Sequence, residues 1–389
     1  MKKITMSAVA LSALIGTTNV ANAAEGLNIF EDIKFKGQIR PRYEMADVND
    51  NNLDRANAFT NRLHLSATAG LFEVENLTAT VGLQSVNNFG YTDYSLPATQ
   101  PKKYDVINDP QDAMLSEASL DYKMGKTALH AGRSQLNLDN QRFIGTVGWR
   151  QLERSYDTLS FTNTDVENLE VMAAYLYGYA GVGSVTTTET SSAILHAKYK
   201  LSDALSITAY DYMLNTAIPG GYLGNDTIGL ALTGNSNVGI AKLDYRAEYA
   251  IQTDATIDFR KDVTTATNYK ADASYYNLDL GANISGILLG ANYEVLSGTT
   301  GSDGKTNFKP SLGTNHKFNG WADVFYVGNN GPAGGLQDFN LRLGYADAKL
   351  GTLLGFYHDF KADKAMASGA STSSDLGSEL DLVYTNTIP

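Results

Sequence analysis

The stretch GIAKLDYRAEYAIQ (residues 239–252) alternates apolar and polar side chains along most of its length. One set is Ala241, Leu243, Tyr245, Ala247, Tyr249 and Ile251, and the other is Lys242, Asp244, Arg246, Glu248, Ala250 and Gln252. Successive side chains of a β-strand point to opposite faces. The apolar face mixes small residues with tyrosine, and the polar face has close-set charges of both signs. This favours a membrane barrel with a water-filled interior over a soluble sandwich.

Two N-terminal segments repeat the alternation. Residues 33–46 place an apolar set opposite a polar set, namely Phe35, Ile39, Tyr43 and Met45 against Lys34, Lys36, Gln38, Arg40, Arg42 and Glu44. Residues 59–69 do the same with Phe59, Leu63, Leu65, Ala67 and Ala69 against Thr60, Arg62, His64, Ser66 and Thr68. Both segments have the length of a barrel strand, about 10 residues or more.

Thirteen further strands are predicted, which makes sixteen. They lie near 76–84, 113–124, 126–134, 154–163, 168–178, 193–200, 204–214, 226–233, 268–283, 287–296, 336–346, 349–360 and 376–386. The predicted short turns are Gly70–Glu75, Met124–Lys126, Asn163–Glu167, Leu201–Asp203, Gly234–Asn237, Ile284–Gly286 and Asp347–Ala348. The predicted long connections are 47–58, 85–112, 135–153, 179–192, 215–225, 253–267, 297–335 and 361–375.

Short periplasmic turns that alternate with long extracellular loops are typical of an outer-membrane barrel, and an even strand count returns both termini to the periplasm. The long connection 297–335 leaves the count open. Its segment WADVFYV (321–327) has the composition of a strand, and a partner near 306–312 would raise the number to eighteen. We therefore expect a single transmembrane antiparallel barrel of sixteen to eighteen strands, closed because lipid tolerates no open sheet edge.

Residues 1–23 have the features of a secretory signal peptide, which leaves 24–389 as the barrel. Lys2 and Lys3 precede an apolar stretch, and Ala21-Asn22-Ala23 is a small-residue cleavage site. The chain is acidic, with a net charge of −12, and it contains 23 tyrosines. Tyrosine suits the aromatic girdles of a barrel. The acidic charge does not indicate a nucleic-acid-binding protein, which would have a basic patch.

Several classes of catalytic and metal site lack their sequence signals. The chain has no cysteine, and its five histidines are scattered without metal-ligand spacing. It has no G-x-S-x-G elbow. We therefore expect no enzyme activity and no cofactor. A weak calcium candidate is the oxygen-rich loop with Asp47, Asp50 and Asp54, for which a solvated loop is the favoured alternative.

The stretch GRSQLNLDNQRFIGTVGWRQ (132–151) is the most unusual part of the chain, because it is neither a clean strand nor an ordinary loop. We expect it to fold into the barrel and narrow it, with guanidinium groups that face the permeant. The predicted pore-lining residues are Arg133, Arg142, Arg150, Arg154, Arg40, Arg42, Arg62, Arg246 and Arg342. The alternative is a set of wall-to-wall ion pairs with carboxylates such as Glu44, Asp244, Glu248 and Asp272, which would give rigidity without selectivity.

Two motifs resemble the outer-membrane porins of the alginate-export family. They are GRSQLNLDNQRFIGTVGWRQLERSYD (132–157) and LGTNHKFNGWADVFYVGNNGPAGGLQDFNLRLGY (312–345). The resemblance implies a monomeric barrel of eighteen strands with an arginine-rich, anion-favouring pore. The first motif contains Arg133, Arg142, Arg150 and Arg154, and the second contains Asn315, His316, Lys317, Asp323 and Asp338. Barrels of this kind usually end in an aromatic residue, whereas this sequence ends TNTIP, so either Tyr384 takes that role or the natural end of the chain is a different one.

The function expected from the sequence is passive diffusion of small hydrophilic, anionic solutes across the outer membrane of a Gram-negative bacterium. The expected partners are outer-membrane lipid, these solutes and the barrel-assembly machinery. The main alternative is a dedicated channel for exporting an alginate-like polysaccharide. An outer-membrane barrel enzyme or an adhesin is a further alternative.

Overall fold

A computed structural model describes residues 29–49, 52–218, 221–254, 272–298, 307–325, 334–368 and 371–387. Sixteen strands lie in these residues and form one sheet in which each strand neighbours the next in the chain. The ladders that join the first five strands, and those that join the eighth to the sixteenth, are all antiparallel. The predicted signal peptide lies outside the described residues and stays a prediction.

The first eight strands have these bounds: β1 Phe30–Ala46, β2 Ala56–Leu71, β3 Leu77–Asn87, β4 Ala113–Met124, β5 Thr127–Ser134, β6 Ser155–Asn163, β7 Leu169–Gly181 and β8 Ser184–Lys200. The second eight are β9 Ser206–Ile218, β10 Gly221–Val238, β11 Ala241–Asp254, β12 Asp272–Ile284, β13 Ile287–Ser297, β14 Gly335–Asp347, β15 Gly351–Ser368 and β16 Ser371–Thr385. The prediction of an all-β antiparallel sheet with sixteen strands is confirmed.

The two faces of the sheet differ as the alternation predicts. Large apolar residues on one face are exposed, and those on β1, β12, β14 and β16 are Phe35, Ile39, Tyr43, Met45, Leu278, Leu280, Phe339, Leu341, Leu343, Tyr345, Leu380, Leu382 and Tyr384. Buried polar side chains on the other face include Arg62, Glu248, Asn277, Asp338 and Asp381. We call these the apolar face and the polar face. Exposed apolar side chains at every second position match the lipid-facing band of a membrane barrel.

Three of the predicted long connections, 179–192, 215–225 and 361–375, are wrong. The strands β7–β8, β9–β10 and β15–β16 run through them, with pairing that reaches Ile218↔Gly221 and Ser368↔Ser371. The short turn predicted at 234–237 is also part of a strand, because β10 continues to Val238 and the chain turns at Gly239, where φ is +60°. Serine, threonine and glycine resemble loop residues in composition, but threonine suits strands.

The additional strand pair within 297–335, which would have raised the count to eighteen, is not formed in the described residues. Residues 307–312 and 321–325 are not strands, and a short 3-10 helix spans Asn315–Lys317. Residues 326 and 327 lie outside the description. The rings of Trp321 and Phe325 pack instead on rings of β15, which accounts for the apolar spacing that resembled a strand.

The sheet order runs from β1 to β16, and no ladder between these two strands is present among the described residues, so the expected closure is not seen there. Within the same residues no helix has the length and hydrophobicity needed to cross a membrane.

The described chain divides into two compact units. The first comprises Met1–Asn140, Gly145–Phe161 and Tyr175–Glu189, and the second comprises Gln141–Ile144, Thr162–Ala174 and Thr190–Pro389. In the first unit the long connection after β3 folds back on β2, where Ile107 packs with Ala56 and Ala58. Asp109 of this connection accepts the backbone N–H of Gln151 at 2.8 Å.

The apolar face gives a testable prediction. Leu341 lies at the centre of β14 and is 48% exposed, so the change Leu341→Lys places a charge in the hydrocarbon layer. We expect it to lower the free energy of unfolding by about 2–4 kcal/mol. Ile240, in the turn after β10 and 76% exposed, is the matched control, and Ile240→Lys is expected to change it by about 0–1 kcal/mol. The measurement is denaturant unfolding in lipid vesicles, and equal small effects would contradict a lipid-facing Leu341.

Candidate functional site

Two non-strand segments lie on the polar face. We call 135–154 the arginine segment and 307–325 the NHK segment. Residues 135–140 and 145–154 of the arginine segment belong to the first unit, while 141–144 and the whole NHK segment belong to the second.

Arginines of β1 fix the first-unit part of the arginine segment through its backbone. Arg40 donates to the carbonyl oxygens of Gly148 at 2.7 Å and Trp149 at 3.3 Å, and its Nε donates to Gln151 Oε1 at 2.9 Å. It also donates to the carbonyl oxygen of Arg150. The Arg42 guanidinium lies 4.3 Å from the centre of the Trp149 ring. Backbone carbonyls that are shielded from water need a hydrogen-bond donor. The Arg40 side chain supplies donors to three consecutive carbonyls that have no strand partner.

Most of the predicted pore arginines have carboxylate partners. The pairs are Arg42–Glu44, Arg62–Glu153, Arg133–Asp157, Arg150–Glu44, Arg246–Glu248 and Arg342–Asp279. Arg133 binds Asp157 with two hydrogen bonds, of 2.6 and 2.7 Å, which is the strong forked geometry. These contacts are those of the ion-pair alternative. A role of these arginines in lining a pore stays a prediction.

Arg154 contacts polar oxygens and aromatic rings inside the first unit. Its Nη1 donates to the carbonyl oxygen of Gly145 and to the hydroxyl of Tyr156, each at 3.3 Å. The guanidinium also lies 5.6 Å from the centre of the Tyr179 ring. A planar guanidinium stacks on such rings in a way that an ammonium does not. Arg154 thus links two parts of the segment to β6 and β7.

Arg142 is the most buried charge of the second unit, with 0% of its side chain exposed. Its Nη2 donates to Glu294 Oε2 at 2.8 Å and to Asn319 Oδ1 at 2.9 Å, and its Nη1 donates to Asn315 Oδ1 at 3.2 Å. The guanidinium lies 4.6 Å from the centre of the Phe318 ring. The group is shielded from water in this structure, and a contact between Arg142 and a permeant stays a prediction. The Arg142 side chain holds the NHK segment against β13, because it binds Asn315 and Asn319 of the segment and Glu294 of the strand.

The polar network continues beyond Arg142. Glu294 also accepts the hydroxyl of Tyr275 at 2.9 Å and the amide of Asn319 at 2.6 Å. Asn319 reaches Asp338 on β14 at 3.2 Å, and Asp338 pairs with His358 on β15 at 2.9 Å. Each buried charge therefore has several partners, which compensates the cost of removing it from water.

The backbones of the two segments also meet inside the second unit. Ile144 and Leu312 form an isolated β-bridge, and the N–H of Thr314 donates to the carbonyl oxygen of Gln141 at 2.9 Å. At Gly313 a Cβ would overlap the carbonyl oxygen of Arg142. Only glycine therefore permits this close approach of the two backbones.

A buried aromatic cluster also packs where the two segments meet, and the sequence pattern did not predict it. The Phe143 ring lies 5.1 Å from Tyr275, 5.6 Å from Tyr210 and 5.7 Å from Phe308, measured between ring centres. Tyr210 donates its hydroxyl to Glu248 at 2.8 Å. The available signal was a tyrosine on the polar face of each of two strands, which is unusual for a face that meets water.

The motif residues Asn315, His316, Lys317, Asp323 and Asp338 lie in the second unit, and all but Asp338 belong to the NHK segment. His316 Nδ1 lies 2.9 Å from Asp323 Oδ1, which closes the segment on itself. Lys317 is exposed. Desolvation by the surrounding protein, together with the positive charge of Arg246, lowers the pKa of Lys317. These two cations are thus close enough to act on each other.

Asp47 and Asp54 of the calcium candidate are described, whereas Asp50 lies outside the described residues, so the prediction is untested. In the described residues no group of three or more His, Asp or Glu side chains is arranged for a metal ion.

Comparison with known proteins bears on the fold. No protein-family model matches the chain, and no curated protein sequence does. Among solved structures, OpdK with vanillate from Pseudomonas aeruginosa has a TM-score of 0.62 at 12% identity over 91% of this chain and 88% of its own. OccAB4 from Acinetobacter baumannii has a TM-score of 0.61 at 13% identity over 85% and 84%. OccK2 (OpdF) from P. aeruginosa in complex with glucuronate has a TM-score of 0.58 at 12% identity over 86% and 82%.

The fold is that of an outer-membrane porin. At these identities the likeness shows the fold alone, and the strand count of the described residues differs slightly from that of those barrels. The similar structures are porins, which are channel proteins rather than enzymes. The porin fold occurs in the outer membrane of Gram-negative bacteria.

The Arg40 contacts give a testable prediction. The change Arg40→Lys keeps the charge but removes the fork that reaches three carbonyls. We expect trypsin to cleave after Arg150 at least about tenfold faster, because loss of roughly 1.5–3 kcal/mol of hydrogen bonding to a charged group opens the segment locally. The fragment that begins at Gln151 is quantified by mass spectrometry. Arg342→Lys is the matched control, and unchanged cleavage in Arg40→Lys would contradict the assigned contact.

Proposed function

We propose that the protein is a monomeric outer-membrane porin of a Gram-negative bacterium that passes small hydrophilic anions by diffusion. The observation that supports it most is the pair of opposite faces on one sixteen-stranded sheet. One face exposes apolar residues at every second position, and the other has charged side chains and two folded segments. A polar interior and an apolar exterior are the features of a water-filled barrel.

The preference for anions rests on two cations on the polar face of the second unit, the exposed Lys317 and the Arg246 that pairs with Glu248. Lys317 is exposed at the 3-10 helix of the NHK segment, and Arg246 of β11 is near enough to lower its pKa. Two of the similar structures hold vanillate and glucuronate, which are both carboxylates. A carboxylate solute would find complementary charge at Lys317 and Arg246, and basic side chains are a known device for anion selectivity.

The test is the reversal potential of single channels in planar bilayers under a salt gradient. We expect the wild-type channel to prefer anions, and Lys317→Gln/Arg246→Gln to shift the reversal potential toward zero because two positive charges are lost. Lys349→Gln, in the exposed turn after β14, is the matched control and is expected to leave the potential unchanged. Conductance without anion preference in the wild type would contradict the selectivity, and absence of conductance would contradict the porin.

A polysaccharide export channel is the second candidate, and the two motifs that resemble the alginate-export family favour it. The two functions differ in the length of solute that must thread the pore. If export is the function, an oligomer of uronic acid should block the ionic current at concentrations at which the monomer does not. Equal weak effects of oligomer and monomer would favour the porin for small solutes.

A further inference from the structure

Residues 319–325 of the NHK segment are held on the polar face by acidic side chains of β16. The backbone N–H of Ala322 donates to Glu379 Oε1 at 2.7 Å, and that of Trp321 donates to Asp381 Oδ2 at 3.3 Å. Gly320 adopts a φ of +83°, and a Cβ at this position would overlap the Glu379 carboxylate. The segment is therefore shaped to bring its backbone onto these two carboxylates.

His358 of β15 lies beneath this contact. Its Nδ1 is 2.9 Å from Asp338 Oδ1, and its Nε2 is 3.6 Å from Asp381 Oδ2. The ring lies between Phe356 and Phe360, at 6.3 and 5.3 Å between ring centres. The imidazole thus bridges acids of the two flanking strands, β14 and β16.

The same aromatic row binds the segment. Trp321 packs on Phe356 at 5.2 Å, and Phe325 packs on Phe360 at 4.8 Å, measured between ring centres. The contact surface between the segment and β15 is thus aromatic, while its backbone hydrogen bonds go to titratable groups. Loss of those bonds would leave the ring contacts, the side-chain hydrogen bonds of Asn319 and the His316–Asp323 contact.

We propose that Glu379 and Asp381, with His358 beneath them, form an acid-released latch that holds 319–325 on the polar face at neutral pH and lets it go as the pH falls. This goes beyond the proposed function, since it does not depend on which solute passes.

The chemistry of the latch sets its direction. A carboxylate accepts an N–H more strongly than a carboxylic acid does, because the bond is charge-assisted. Protonation of Glu379 and Asp381 therefore weakens the hold, which is present at neutral pH and is lost as the pH falls. A protonated His358 opposes this change, because its positive charge lies 2.9 Å from Asp338 and 3.6 Å from Asp381 and so attracts both carboxylates.

The other charged groups near the latch are on four elements, β14, β13, the arginine segment and the NHK segment. They are Asp338 on β14, Glu294 on β13 with its partner Arg142, and the His316–Asp323 pair and Lys317 in the NHK segment itself. Arg142 has no proton to lose in this range. The pair His316–Asp323 is the competing source of pH dependence, so the test must separate it from β16.

The test uses a nitroxide spin label on Val324→Cys, in a chain that has no native cysteine. Val324 is 69% exposed and lies next to the latch. The full chain is placed in lipid vesicles, and the line shape is recorded from pH 7.5 to 3.5. We expect an immobilised label at neutral pH and a reversible increase in its mobile fraction in acid. A line shape that does not change over this range would overturn the latch.

Variants then assign the effect to β16. In Glu379→Gln/Asp381→Asn the side-chain oxygens still accept hydrogen bonds but no longer titrate, so the pH response should be lost. In His358→Gln the midpoint should move up by about one pH unit. A full response in the first variant, or an unmoved midpoint in the second, would overturn the proposal and point to His316–Asp323.

Two controls keep the result interpretable. Glu75→Gln, in the exposed turn after β2, should leave the response of the Val324 label unchanged. A label on Ile240→Cys, far along the sequence in the turn after β10, should show one line shape at every pH. A parallel change at this site would mean that the whole barrel loosens in acid, and it would overturn a local latch. Where the double variant does not fold, Glu379→Gln alone should give a smaller response than wild type.

Discussion

The buried pair of Arg142 and Glu294 is the interaction on which the polar face of the second unit depends. A guanidinium removed from water is tolerated only when it is paired and hydrogen-bonded. Arg142 meets this condition with one carboxylate and two asparagine oxygens, and two of these three partners lie in the NHK segment. The position of that segment is therefore coupled to a charge that comes from a different, distant part of the chain.

The remaining polar-face charges follow the same principle at different depths. Arg40 in the first unit donates hydrogen bonds to a row of backbone carbonyls, and Arg133 makes a forked ion pair with Asp157. Arg40 thus binds non-strand backbone to β1, whereas Arg133 joins β5 to β6. The consequence for function is that arginine abundance alone does not identify a selectivity filter. Accessible cations such as Lys317 are the better candidates.

The sequence predicted the sheet well because one physical rule, the period of two, acts in every strand. The strand count among the described residues, the antiparallel order and the exposed apolar face all follow from it. Strand ends were predicted less well, since Ser, Thr and Gly near β7–β8 and β9–β10 suit both loops and extended hairpins. The optional strand at 321–327, which would have raised the count to eighteen, is not formed at 321–325, because the rings of Trp321 and Phe325 pack on Phe356 and Phe360 rather than facing lipid.

The site was predictable only in part. The sequence indicated that 132–154 and 312–323 are unusual, and the structure brings parts of both together in the second unit. It could not indicate the partners, because Arg142 and Glu294 are 152 residues apart and the contact depends on the register of several strands. The burial of Arg142 could not be predicted for the same reason. It depends on the NHK segment, which folds over this part of the polar face and is distant in sequence.

The most direct test of this account is a double-mutant cycle between Arg142→Met and Glu294→Gln, with the free energy of unfolding measured in lipid vesicles. We expect Arg142→Met alone to cost about 3–5 kcal/mol, because it leaves a buried carboxylate without its cation. We expect the double variant to lose at least about 1 kcal/mol less than the sum of the single variants. Additivity within about 0.5 kcal/mol would show that the two side chains are not coupled, and it would contradict the central role of this pair.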